Sequence, residues 1–224
     1  MSDNSPISEV ITITDLYLRI SEEKKQRIMQ AAIVEFAENG YEHANTNRIA
    51  KTAGISVGSL FKYFDSKEDL FISTVKYGAA DLKMQLRELA DGEEDVFDKV
   101  EMVLRTVQNH SRENENMIRL YNEMTAHGSP TLVFQEVDWL ESFTATLYAQ
   151  LIEKAKSDGI VRPDCDARMF AFLLDNLFMT LQFSYTCDYY KERFKVYVSS
   201  DIMQRDDFVI EQMMKFIRSA FSKQ

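Results

Sequence analysis

Apolar residues recur along most of this chain at steps of three and four, the period of an amphipathic helix. Ser21 is a good N-cap residue, and Glu22 and Glu23 follow it where a helix dipole favours acid. The stripe Ile28, Ala31, Ala32 and Phe36 then predicts a first long helix, stopped at Asn39-Gly40 because glycine readily takes a left-handed turn. Two short helices are expected at 46–53 and 56–63, with Gly54 breaking the chain between them. Ser66-Lys67-Glu68-Asp69 reads as a capping box with Asp in place of Glu or Gln, opening a helix over 66–90. Later helices are expected at 94–112, 115–127, 131–157, 165–190 and 206–222. His127-Gly128-Ser129-Pro130, Asp158-Gly159 and Arg162-Pro163-Asp164 supply the breaks. The pattern is all-α, with no internal repeat.

Residues 1–20 stand apart. Ile11, Ile13, Leu16, Leu18 and Ile20 alternate loosely as a strand would, whereas Thr14-Asp15 would cap an early helix. The preferred reading is a flexible N-terminal arm that docks on the rest.

Composition supports the helical reading. Seven glycines and three prolines in 224 residues are too few for a β fold, which needs a turn every ~8–12 residues. Apolar residues make up 45%, which excludes a disordered chain. Cys165 and Cys187 form neither a disulfide framework nor a C-x-x-C pattern, and are expected to be reduced and buried in a cytoplasmic protein. Met1 to Pro6 carry no Lys or Arg, so no signal-peptide start is expected. The most apolar stretch, Met169–Cys187, contains Asp175, Asn176 and Gln182, and is expected as a buried helix rather than a membrane span. No metal site and no cofactor are expected.

Net charge is −10, so nucleic-acid binding by bulk electrostatics is not expected. Local chemistry tells a different story. Residues 46–64, TNRIAKTAGISVGSLFKYF, have the form of two short helices around a glycine turn, a helix-turn-helix. Ile49, Ala50, Ile55, Leu60 and Phe64 suit the contact between the helices. The opposite face, Ser56, Val57, Ser59, Lys62 and Tyr63, is small or polar and suits base edges and phosphates. Gly58 lacks a Cβ, which favours close approach to DNA at about 1 kcal/mol of helix stability. Arg48, Lys51 and Lys62 are the basic residues of the unit, which holds no acid, and Lys67 follows it.

Over about 24–70 the sequence resembles the TetR family of bacterial transcriptional regulators. The resemblance is carried by Ala31-Ala32, Phe36, Gly40-Tyr41, Thr46, Ile49-Ala50, Ala53-Gly54-Ile55-Ser56, Gly58, Leu60, Phe64, Lys67-Glu68 and Leu70. It implies an all-helical homodimer. Residues 1–20 would be the arm, 21–70 a three-helix DNA-binding domain, and 71–224 a ligand-binding and dimerisation domain. It further implies that Thr46 contacts phosphate, with Arg48 in the same helix. Ser56, Val57, Gly58 and Ser59 would face the major groove of double-stranded operator DNA. Lys62 and Tyr63 would reach bases or backbone, and Lys67 would grip a phosphate at a helix N-terminus. Phe61 departs from the tyrosine common at its position and is expected to pack instead.

Beyond residue 70 no motif stands out. Residues 120–197 hold 14 aromatics. Aromatic and Met side chains usually form core; the alternative is an apolar pocket with a few polar anchors. The resemblance favours that alternative, with a small apolar or amphipathic effector. The pocket candidates are Tyr121, Met124, His127, Trp139, Phe143, Asp175, Asn176, Phe178, Met179 and Gln182. Asp175 is read equally as a paired carboxylate at a dimer interface, and His127 as a partner of a helix C-terminus. The resemblance also implies a four-helix bundle between subunits from the last two helices, with Phe208, Ile210, Met213, Met214, Ile217 and Phe221 as one apolar face.

The expected function is a DNA-binding regulator, a repressor released by its effector when the reading heads no longer match half-sites about 34–36 Å apart or multiples of that. An adaptor that has lost DNA recognition is the alternative, kept by the acidic N-terminal region and Phe61. An enzyme is not expected. The three histidines are scattered, and H-E-x-x-H, G-x-S-x-G, P-loop and G-x-G-x-x-G patterns are missing.

Overall fold

In the computed structural model the backbone is described over residues 14–127 and 130–223, and side chains there other than those of 126, 127, 130–137, 139 and 140. The chain is all-α and divides into two compact units, 1–77 and 78–224. The division falls inside one long helix.

The first unit holds α1 (Asp15–Leu18), α2 (Glu22–His43), α3 (Thr46–Thr52), α4 (Val57–Tyr63) and the first part of α5 (Lys67–Asp91). Ser21 caps α2, accepting from the Lys24 N–H. The expected stop at Gly40 is a kink: Gly40 takes a φ of 68°, and a further turn runs to His43. Asn45 caps α3 by accepting from the Asn47 N–H at 2.9 Å. The capping box forms in altered shape. Ser66 Oγ accepts from the Asp69 N–H at 3.0 Å and donates to Asp69 Oδ2 at 2.6 Å. The core is Ile28, Ala32 and Phe36 of α2, Ile49 of α3, Leu60 and Phe64, closed by Leu70 and Phe71 of α5. Phe36 and Phe71 meet edge-on at 5.0 Å.

The arm is helical where it is described. Thr14 starts the single turn of α1, which packs on α4. Residues 1–13 lie outside the described residues, as do Gly128 and Ser129.

The second unit holds the rest of α5, then α6 (Val96–Glu113), α7 (Glu115–His127), α8 (Pro130–Ser157), α9 (Ala167–Thr186), α10 (Asp188–Tyr197) and α11 (Asp206–Phe221), with a 3₁₀ turn at Ile202–Gln204. Pro130 opens α8, where its missing N–H costs nothing. The single helix expected over 165–190 is two. Cys187 is extended (φ −91°, ψ 128°), ending α9, and α10 restarts at Asp188. Ser184 and Thr186 spend their hydroxyls on carbonyls four residues back, which weakens the last turn of α9. Helix α9 is central, touching α6, α7, α8 and α10. Its Leu174, Phe178 and Leu181 share a core with Leu104, Ile152, Ile210 and Ile217. Among the described residues no helix is long and apolar enough to cross a membrane, and no group of three His, Cys, Asp or Glu side chains comes together to hold a metal.

Candidate nucleic-acid interface and effector cleft

The turn between α3 and α4 is built from glycine geometry. Gly54 has a φ of 69°, a region that side-chain-bearing residues avoid. Its N–H donates to the Lys51 carbonyl at 3.1 Å, and the Ile55 N–H to the Ala50 carbonyl at 2.9 Å. This pair of bonds is the Schellman arrangement, and it satisfies carbonyls that α3 leaves open. Ser56 then caps α4, accepting from the Ser59 N–H at 3.1 Å, with the two hydroxyls 2.8 Å apart.

Helix α4 buries Leu60 completely and presents Ser56, Val57, Gly58, Phe61 and Lys62 outward, with Ser59 half-buried. A Cβ built on Gly58 would meet only Ser56 Oγ, at 4.0 Å, so this surface is open to close approach. The two aromatics at its end exchange the places expected of them. Phe61 is 43% exposed, whereas Tyr63 is 8% exposed and faces inward. The Tyr63 hydroxyl accepts from Lys24 Nζ at 2.9 Å, and its ring meets Tyr17 at 6.2 Å. Tyr63 is therefore packed inward, and Phe61 stands on the outward face of α4. The reason is register. Positions 60, 63 and 64 form the inward stripe, and position 61 falls outside it.

Thr46 is the half-buried first residue of α3. Arg48 is oriented rather than free. Its Nε and Nη2 donate to Glu35 Oε1 at 3.0 and 2.6 Å, and that same oxygen accepts from the Asn45 N–H at 2.8 Å. Lys67 donates to the Glu42 carbonyl at 3.0 Å, with Nζ 5.0 Å from the centre of the Tyr41 ring. Glu35 was not legible as a site residue, since a carboxylate on an amphipathic helix looks like surface. Asn45 and Asn47 are both exposed at the start of α3.

In the second unit α7, α8 and α9 enclose a cleft of about 1190 Å³. Of the expected pocket residues Tyr121, Asp175, Asn176 and Met179 line it. Phe178 and Phe143 do not; both belong to the core, with Phe178 packed edge-on against Tyr148 at 5.5 Å and Phe143 lying under the Arg87 guanidinium. Met124 and Gln182 are buried away from the cleft. The side chains of His127 and Trp139 lie outside the described residues.

Polar chemistry in the cleft centres on Glu141 of α8, a residue that nothing in the sequence marks. Tyr121 donates its hydroxyl to Glu141 Oε1 at 2.9 Å and lies 3.6 Å from Met179 Sδ. Burial pushes the Asp175 carboxyl up to about 6, and the Glu141 charge adds to the rise. Burial, with the same two carboxylates, also raises the Tyr121 and Tyr148 phenols far above their ordinary range. Asn176 turns inward on its own helix, donating to the Phe172 carbonyl at 2.7 Å.

The family model for bacterial regulatory proteins of the tetR family matches residues 28–74, spanning α3, α4 and the turn between them. Among curated proteins, the HTH-type transcriptional regulator YhgD of Bacillus subtilis is 24% identical over 167 residues, 74% of this chain and 86% of that one. The HTH-type transcriptional repressor KstR2 of Rhodococcus jostii is 25% identical over 160 residues, 71% and 78% of the two chains. Among solved structures, the transcriptional regulator FadR from Bacillus subtilis in complex with stearoyl-CoA shares the fold at a TM-score of 0.71. Its identity is 18%, and the match covers 88% of this chain and 98% of that one.

Proposed function

We propose that this chain, which belongs to the TetR family of DNA-binding transcriptional regulators, represses as a homodimer and leaves its operator when a small molecule fills the cleft between α7, α8 and α9. The DNA-binding assignment is carried by one observation: the outward face of α4, with Val57, Gly58, Phe61 and Lys62 open beside a Schellman turn. The whole-protein charge does not oppose this, because residues 46–64 carry basic side chains and no acid. Lys62 and Lys67 supply phosphate contacts, and α4 supplies base contacts. With so few cations the salt dependence is shallow for a repressor.

The face expected of the last helix, Phe208, Ile210, Met213, Met214, Ile217 and Phe221, is taken up by the chain's own core, and dimerisation is supported instead by apolar side chains left exposed on α9 and α11. Met169, Phe172, Leu173 and Phe216 are each 45–63% exposed. Phe170 of α9 meets Phe221 of α11 at 4.7 Å, so the two helices adjoin. Large apolar side chains exposed on two adjoining helices mark a surface that another protein covers.

Release requires that the effector bind the operator-free state better than the operator-bound state. Fluorescence anisotropy on DNA from upstream of the gene, with excess unrelated competitor, tests the assignment. Competitor-resistant binding that Lys62→Ala weakens is the expected result. Its absence, with the wild-type fold intact, would return the chain to the adaptor reading.

A further inference from the structure

The cleft joins two properties that oppose each other. Tyr121, Met179 and Phe183 give it apolar and aromatic walls. Glu141 and Asp175, from facing helices, bring two carboxylates into the same space. Among the described residues no cationic side chain is paired with either carboxylate. Glu141 takes its hydrogen bond from a neutral phenol. Burial and Glu141 both push Asp175 upward, and no cation pulls it down. Two basic residues, Lys156 and Arg168, also line the cleft. Lys156 Nζ donates to the Cys165 carbonyl at 2.7 Å and pairs with Glu153 at 3.5 Å. Arg168 shares the face of α9 with Asp175, two turns and about 10 Å along the helix, and does not draw the Asp175 carboxyl down.

Two partly desolvated like charges without a counter-charge are unfavourable, and each raises the cost of the other. A ligand that brings a positive charge relieves both at once, in a setting where Coulomb energy is larger than in water. Aromatic faces add attraction for the same charge. An anionic ligand meets repulsion, and a neutral one leaves the carboxylates uncompensated.

We propose that the cleft takes a lipophilic organic cation, with its apolar body on the Tyr121–Met179–Phe183 wall and its charge between Asp175 and Glu141. This assignment rests on the reading of the cleft as the effector site. It parts from the stearoyl-CoA of the FadR structure. A coenzyme A ligand carries several phosphate charges, whereas two carboxylates stand in this cleft.

The test uses two probes of one shape and opposite charge, tetraphenylphosphonium and tetraphenylborate, titrated calorimetrically into the full chain. The phosphonium is expected to bind at least about tenfold more tightly than the borate. Asp175→Asn and Glu141→Gln are each expected to close that gap, with circular dichroism confirming the fold. Equal affinity for the two ions, preference for the borate, binding of neither, or a gap unchanged in both variants would overturn the proposal. The wild-type comparison needs no variant, so misfolding of a mutant leaves it decisive. Adding the phosphonium to the operator complex separates the two readings. Binding without release from DNA refutes the effector role and leaves the charge assignment standing.

Discussion

The Thr14 hydroxyl donates to the Lys62 carbonyl at 2.7 Å, across 48 residues of sequence. The Thr14 N–H also reaches the Tyr63 carbonyl, at 3.3 Å. The last carbonyls of a helix have no partner within it, and here the arm supplies one. Tyr17 follows with its ring 5.0 Å from Phe64 and 6.2 Å from Tyr63. Helix α1 thus holds the C-terminal end of α4. Thr14→Val keeps the shape and removes the donor, so it should cost about 1 kcal/mol. Tyr17→Ala opens a cavity and should cost about 3 kcal/mol. Urea unfolding measures both. Operator affinity should fall in the same order; an unchanged Kd in folded Tyr17→Ala would show that α4 keeps its place without the arm.

Glu35 is 8% exposed and gathers Arg48 and the Asn45 N–H on a single oxygen. Its loss leaves a backbone donor at the start of α3 unpaired and releases the Arg48 guanidinium. Glu35→Ala should destabilise the protein by about 2 kcal/mol, since an unmet buried donor costs about 1–3. Glu35→Gln keeps an acceptor and should cost less. Thermal melts rank the two; equal losses would mean that the charge, not the acceptor, is what matters.

The helix-turn-helix could be read from the sequence because its determinants are local. Gly54 needs its φ, Ser56 needs its cap, and Ile49 and Leu60 need the stripe. The cleft was half legible for the opposite reason. Asp175 and Asn176 stood out as polar groups in an apolar run, but Glu141 sits in the acid-rich segment QEVDWLES, where a carboxylate carries no signal. Only the packing of α8 against α9 brings it to Asp175. Phe178 and Phe143 failed as pocket residues because periodicity cannot tell which side of a buried helix faces a void. The break at Cys187 was missed because no Gly or Pro marks it.

The Asp175 carboxyl gives stability a pH dependence of definite sign. Its value in the folded protein, about 6, is above the roughly 3.9 of an unfolded aspartate. The folded state therefore holds the proton more tightly. The stability this provides is full below about pH 4 and is lost as pH rises through 6. Glu141 of α8 and the Tyr121 and Tyr148 phenols surround the group, and both phenols stay neutral in this range. Asp175→Asn mimics the protonated form. It should melt higher than wild type at pH 7.5, with the difference fading towards pH 4.5. A constant difference across that range would assign the effect to packing.

The apolar side chains exposed on α9 and α11 predict the oligomeric state. Phe172 and Phe216 are 61% and 63% exposed, too much aromatic surface for water to cover without penalty. Phe172→Glu or Phe216→Glu would place a carboxylate in a closed interface without a partner. Light scattering at micromolar concentration should give a dimer for wild type and a monomer for either variant, and the monomers should bind the full operator far more weakly. A wild-type monomer would remove the dimer from the proposal.

Val57 and Phe61 are four residues apart, so they lie on one face of α4, 36% and 43% exposed. Gly58, beside them, adds no bulk. Apolar side chains in the major groove recognise the 5-methyl group of thymine, which no other standard base carries. The pair should therefore read a thymine within each half-site. Replacing that thymine by uracil removes only the methyl, and should weaken wild-type binding by about 1 kcal/mol, roughly fivefold. Phe61→Ala should bind thymine and uracil operators alike. If Phe61 instead packs on the sugar-phosphate backbone, Phe61→Ala will weaken both operators by the same factor and leave their ratio at the wild-type value. The ratio, not the loss of affinity, is the measurement that assigns Phe61 to reading a base.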